Sequence, residues 1–154
     1  MKQMTLAALA AITMALATPG AALSGSEDVV VESPWARASI GMSRPGVAYM
    51  KIRNTGAETV TLTGIATSIA MMPEIHRTAT NDKGVSSMAP AGDIAIAPGE
   101  AVALKPGGLH AMLMKLHSQM IEDETFSLTL VFSDGGEVTV NVPILGLGAR
   151  GPQG

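Results

Sequence analysis

From Val29 onward, apolar and polar residues alternate in short runs, and residues that favour turns cut each run off. Successive side chains of an extended strand point to opposite faces, so such runs predict strands with one face in a core. The pattern predicts nine of them: Val29–Ser39, Gly46–Asn54, Glu58–Ala66, Glu74–Ala79, Gly84–Met88, Ala101–Leu104, His110–Leu116, Thr125–Phe132 and Glu137–Pro143. Between them, Asn54-Thr55-Gly56, Asn81-Asp82-Lys83-Gly84, Pro98-Gly99, Pro106-Gly107-Gly108 and Asp134-Gly135-Gly136 supply the positive-φ or φ-fixed residues that turns need. The last turn separates Phe126-x-Leu128-x-Leu130-x-Phe132 from Val138-x-Val140-x-Val142, which predicts a hairpin with one face of each strand in the core. No helical period survives a count after residue 25, apart from a short turn within Met114–Glu122. The expectation is an all-β sandwich or barrel.

The segment before Val29 follows a different pattern. Lys2, an apolar stretch from Met4 to Ala17, and small residues at Ala21, Ala22 and Ser24 read as an export signal, with 1–24 removed in the mature chain. Pro19 and Gly20 interrupt the stretch before it is long enough to span a bilayer, and no later run is apolar for long enough. The expected organisation is one β-domain over 25–144 and a flexible, Gly-rich tail over 145–154, in a protein exported to the periplasm or the cell exterior with no membrane span in its mature chain. There is no cysteine, which excludes an internal disulfide and a lipid attached at the signal site. The formal net charge is −3, without a Lys or Arg cluster, and one Trp, one Tyr and two Phe offer few stacking surfaces. That combination argues against a nucleic-acid partner.

The candidate chemistry lies in the histidines and methionines. His76, Met88, His110 and Met112 offer two imidazoles and two thioethers, a donor set that suits a soft ion and, without thiolate, points to copper(I). In an oxidising compartment such a set cannot be lost to disulfide formation. Along the strand His110-Ala111-Met112-Leu113-Met114, positions 110, 112 and 114 share one face, and Pro106-Gly107-Gly108 sets His110 at a strand start near the surface. His76 closes the Met72-x-Glu74-x-His76 face, so the donors are expected to converge from strand ends at one rim of a sandwich. Periodicity alone leaves Met112 and Met114 open between ligand and core filler, with Met50 and Met120 read as core. Glu74 is read as an outer partner or a solvated carboxylate, Met114 as packing behind the site, and His117 as exposed.

Together with its surroundings, Glu74-Ile75-His76, Met88 and Gly107-Gly108-Leu109-His110-Ala111-Met112-Leu113-Met114, this spacing resembles the periplasmic copper chaperones called PCu(A)C. Their hallmark is a His, a Met and a downstream His-x-Met in one small β-domain, and the resemblance runs from about Val29 to Ile144. That family often carries a Met directly after its first His; here the position is Arg77, which leaves the four-residue set intact. The resemblance implies a Greek-key, cupredoxin-like β-sandwich that binds copper(I) through His76, Met88, His110 and Met112. It also implies delivery to the copper centre of a cytochrome oxidase, with a thiol-bearing assembly factor as a further acceptor.

Other chemistries fit less well. Blue copper needs a Cys thiolate, and zinc favours Cys, His and carboxylate sets. No Gly-x-Ser-x-Gly elbow or paired Ser and base is present, so the protein reads as a binding protein rather than an enzyme. Two alternatives stand beside copper delivery: a copper buffer using the same four residues, and a metal-free interaction module whose methionines are core or an adaptable surface.

Overall fold

The alternating runs become ten strands in the computed structural model, which describes residues 25–152. The expected export signal lies outside the described residues. After a 3-10 turn at Ser26–Asp28 come β1 (Val29–Arg37), β2 (Gly46–Asn54), β3 (Val60–Ala66), β4 (Ala70–Thr80), β5 (Ser86–Pro90), β6 (Ile94–Ile96), β7 (Ala101–Leu104), β8 (Leu109–Leu116), β9 (Thr125–Phe132) and β10 (Glu137–Leu145). One sheet runs in the order β5-β4-β8-β7-β2-β1 and the other in the order β10-β9-β3-β6. A parallel contact of β1 with β10, at Ala36 opposite Ile144 and Arg37 opposite Leu145, joins them.

The inner faces of the two sheets make the core. Ala36, Ala48, Ile52, Ala111 and Leu113 from the first are sealed against Leu62, Leu128, Leu130, Phe132 and Val142 from the second. Each such Leu or Ile contributes roughly 1.5–3 kcal/mol relative to exposure, which is why the alternating runs commit to one face. The β9–β10 hairpin forms in the register its pattern predicted, with Phe126 opposite Val142, Leu128 opposite Val140 and Leu130 opposite Val138. Met50 and Met120 are core, as expected. Gly46 packs beside Met120, whose sulfur would have to move to admit a Cβ there.

Several strand ends shift by one or two residues, and three differences bear on the expected organisation. β4 begins at Ala70 rather than Glu74, passing through Pro73. Proline is tolerated at a sheet edge, and β5 pairs only with His76–Thr80, so at Pro73 the strand has β8 as its single ladder neighbour. β6 has no counterpart among the predicted strands: Ile94-Ala95-Ile96 is too short to show a period and is defined by its pairing with Val60–Leu62 of β3. β10 continues to Leu145, where the tail was expected to begin, and beyond it the Arg37 Nε donates to the Ala149 carbonyl at 2.7 Å.

The hairpin turn between β9 and β10 holds the 3-10 segment as well. Asp134 accepts from the Ser26 backbone N–H at 2.9 Å and from the Gly136 N–H at 2.8 Å. The Ser26 bond and then the Gly136 bond hold the Asp134 carboxyl below the usual carboxylate range. A carboxyl whose folded pKa is depressed contributes stability that is present above its unfolded pKa and lost as pH falls through the folded one. Asp134→Ala is therefore expected to lower the melting temperature at neutral pH. Thermal scans should show the gap to wild type closing once the pH drops below the ordinary carboxylate range.

Candidate metal centre

β4 and β8 pair antiparallel, and their register places His76 directly opposite His110, Glu74 opposite Met112, and Met72 opposite Met114. Ile75, Ala111 and Leu113, on the alternate positions, point into the core. His76, His110, Met112, Glu74, Met72 and Met114 consequently share the outer face of the first sheet. The two imidazoles meet there with ring centroids 6.2 Å apart and planes inclined by 53°. His76 is 9% exposed and His110 is 3% exposed.

Each ring is held by one nitrogen and leaves the other bare. The His76 Nε2–H donates to Glu74 Oε2 at 3.0 Å, and the His110 Nδ1–H donates to the Gly108 carbonyl at 3.1 Å. A carboxylate and a carbonyl can only accept, so in the neutral rings these two nitrogens carry the protons. The remaining nitrogens, His76 Nδ1 and His110 Nε2, are buried without a hydrogen-bond partner. Leaving a buried polar atom unsatisfied costs about 1–3 kcal/mol, which a fold retains where the atom has another use. Metal-binding histidines show this arrangement, with the second nitrogen bonded to a carboxylate or backbone carbonyl that fixes the tautomer and aims the lone pair.

The methionines surround this pair unequally. Met112 is partly exposed, one rung from the histidines, and reaches both along and across the ladder. Met88 lies on β5, opposite Thr78, with Pro90 opposite His76; it is therefore diagonal to His76 on the same face. All five residues of β5 are exposed and the strand pairs with β4 alone, so Met88 sits on the loosest arm of the face, 57% exposed itself. Among the described residues, no group of three or more His, Cys, Asp or Glu side chains is placed to hold an ion, so a metal bound here would draw on the thioethers.

The location differs from the sequence expectation. His110 stands at the start of β8 as expected but is buried rather than near the surface, and His76 lies well inside the eleven-residue β4 rather than at a strand end. The longer β4 is the reason for the position of His76, since the strand begins four residues earlier, at Ala70 rather than Glu74. Beyond His110, β2 leaves β8 after Ala48 and takes up β7 at Met50. At that switch sits buried Tyr49, stacked on Trp35 with centroids 4.6 Å apart and with the Arg37 guanidinium 5.6 Å from its ring. Burial pushes the Tyr49 hydroxyl pKa up, opposed by the Arg37 charge. Glu74, open between two readings in the sequence, is the partner that orients His76. The Gly108 carbonyl has no sequence signal, because a backbone acceptor is defined only by the fold. His117 is exposed, with its Nδ1 at 3.1 Å from the Ser68 carbonyl.

Two packed β-sheets with this strand order define a cupredoxin-like β-fold of the PCuAC type, and solved structures share it. The apo PCuAC domain of PmoF2 superposes with a TM-score of 0.64 at 23% identity, covering 80% of this chain and 94% of that one. The solution structure of CuI-DR1885 from Deinococcus radiodurans gives a TM-score of 0.58 at 27% identity, over 78% and 81% of the two chains. The chain belongs to the LpqE-like family ("Putative lipoprotein LpqE-like"), which it matches over residues 29–144. "Putative lipoprotein Lxx21020" of Leifsonia xyli subsp. xyli (strain CTCB07) is 33% identical over 128 residues, spanning 82% of this chain and 74% of that protein. "Uncharacterized protein RP573" of Rickettsia prowazekii (strain Madrid E) is 30% identical over 115 residues, spanning 72% and 63%. Unlike a protein lipidated on cysteine, this sequence has no cysteine. Among the described residues no helix is long and apolar enough to cross a membrane.

The hydrogen bonds predict one tautomer for each ring. In the metal-free protein at neutral pH, nitrogen-15 NMR of the imidazoles should show His76 protonated at Nε2 and His110 at Nδ1. Glu74→Ala should release the His76 preference and leave that of His110 in place.

Proposed function

We propose that this protein binds one copper(I) ion through His76 Nδ1, His110 Nε2, Met112 and Met88, and passes it to an acceptor protein. The observation that carries the reading is the pair of buried, partnerless ring nitrogens on directly opposed residues, flanked by thioethers. Imidazole with thioether is a soft to borderline donor set that favours copper(I), and the copper(I)-bound Deinococcus radiodurans relative supports that ion. Copper here is cargo rather than a resident cofactor.

The chain's own residues suit binding followed by release. Glu74 and the Gly108 carbonyl hold the two rings in coordinating orientation before any ion arrives, so little ordering is required on binding. Met88 rides on an exposed edge strand and can be displaced without disturbing the core. Thioethers are neutral donors, so an acceptor's thiolates can replace Met88 and then Met112 while the imidazoles keep the ion. The proposed setting is the periplasm, reached by means of the 1–24 signal. The proposed recipient is the copper centre of a respiratory oxidase, either directly or through a thiol-bearing assembly factor.

Anaerobic competition with a chromogenic copper(I) chelator tests the site. Wild type should hold one tight equivalent, and His76→Ala or His110→Ala should weaken it by more than about 100-fold, beyond what loss of an outer partner costs. Met114→Ala should leave that first equivalent in place, and equal losses would sink the assignment. Protons compete for the same imidazole lone pairs, so affinity should weaken as the solution is acidified. A mixing experiment with a thiol-bearing acceptor distinguishes delivery from storage: copper that stays with this protein identifies a buffer.

A further inference from the structure

Two rungs along the ladder from the histidine pair, Met72 and Met114 stand directly opposite each other on β4 and β8. Alternation puts them on the same outer face as the histidines. Both line an open cleft of about 360 Å³ between β3 and β4, together with Glu74, Gly64 and Ile65. Met72 is 46% exposed and Met114 partly so.

Core packing does not account for Met72. Methionine in a core fills irregular gaps, as Met50 and Met120 do here. Met72 fills no such gap: it is nearly half exposed, at the open cleft and beyond the end of the β4–β5 ladder. Two thioethers on opposed residues, both reaching one open cleft, form a sulfur-only donor pair that discriminates strongly for a soft cation. Met112 occupies the same face of β8 between His110 and Met114. The sulfurs therefore continue from the histidine pair to the cleft with one residue's spacing between donors.

We propose that Met72 and Met114 form a second, weaker copper(I) site at the cleft, adjoining the histidine site through Met112. The proposal rests on the copper(I) reading of the histidine pair and extends it. Without imidazoles and open to water, the pair holds its ion less tightly, which makes it a staging position. An ion moves between the two positions by exchanging one thioether at a time, with Met112 common to both, and copper remains copper(I) throughout.

The test is an anaerobic copper(I) titration of protein carrying carbon-13 at its methionine methyls. The first equivalent should shift the Met88 and Met112 methyls, and a second, weaker one should shift those of Met72 and Met114. Met72→Leu/Met114→Leu, which keeps apolar bulk while removing sulfur, should lose the second equivalent and retain the first. In His76→Ala/His110→Ala, the Met72 and Met114 methyls should still respond to copper(I).

A wild type that binds one equivalent without moving Met72 or Met114 overturns the second site and leaves the histidine site standing, with the cleft then better read as a protein-docking surface. All four methyls shifting together with a single equivalent, or a second equivalent surviving in the double leucine variant, also overturns it. Failure of the first equivalent in wild type, with Met72 and Met114 still responding, would instead remove the histidine reading.

Discussion

The antiparallel pairing of β4 with β8 is the constraint on which the site depends. Its register brings two histidines, far apart in sequence, onto directly opposed positions, and it sorts Met112 and Met114 to their face while Ala111 and Leu113 go to the core. A slip of one residue would turn His110 into the sandwich and Leu113 into water, so burial of the core enforces the geometry of the donors. The Gly108 carbonyl ties the two levels together. It accepts the Thr78 N–H, which holds β4 to the start of β8, and the His110 Nδ1–H, which orients the ring.

This arrangement works against stability in one place. Two imidazole nitrogens are kept from water with no partner, at about 1–3 kcal/mol each, and the sandwich core offsets that cost. Ala48 and Ala111, opposed in register at zero exposure, belong to the core-facing side of the same sheet. The thioethers are treated in the opposite way. Met88 and Met72 are left about half exposed at the margins of the face, where a donor can move without repacking anything. In the proposed site, two fixed imidazole nitrogens are flanked by exposed thioethers, an arrangement oriented in advance and open from one side.

Much of the fold was legible in the alternation. Nine of the ten strands, the β9–β10 hairpin and the core roles of Met50 and Met120 follow from local pattern, because the two-residue period of a strand and the φ demands of turns are properties of short segments. β6 was not legible, since three residues carry no period, and the start of β4 was hidden by Pro73, whose tolerance depends on an edge that only the assembled sheet creates. The candidate donors His76, Met88, His110 and Met112 were visible as residue types at a family-like spacing, and the shared face of His110 and Met112 followed from alternation, but the pairing of His76 with His110 did not. The sequence suggested a rim of strand ends, whereas in the structure only His110 stands near a strand start, His76 lies inside β4, and both are buried.

By itself, then, the sequence determined an all-β domain and a soft donor set without thiolate, both consequences of side-chain chemistry and backbone periodicity. Tertiary structure decided which nitrogen of each histidine is bare, that Glu74 and the Gly108 carbonyl orient the rings, and that Met72 and Met114 share a cleft. Those features depend on which strands become neighbours and in what register. That choice is made by long-range burial across the two sheets, and no short segment of the chain encodes it.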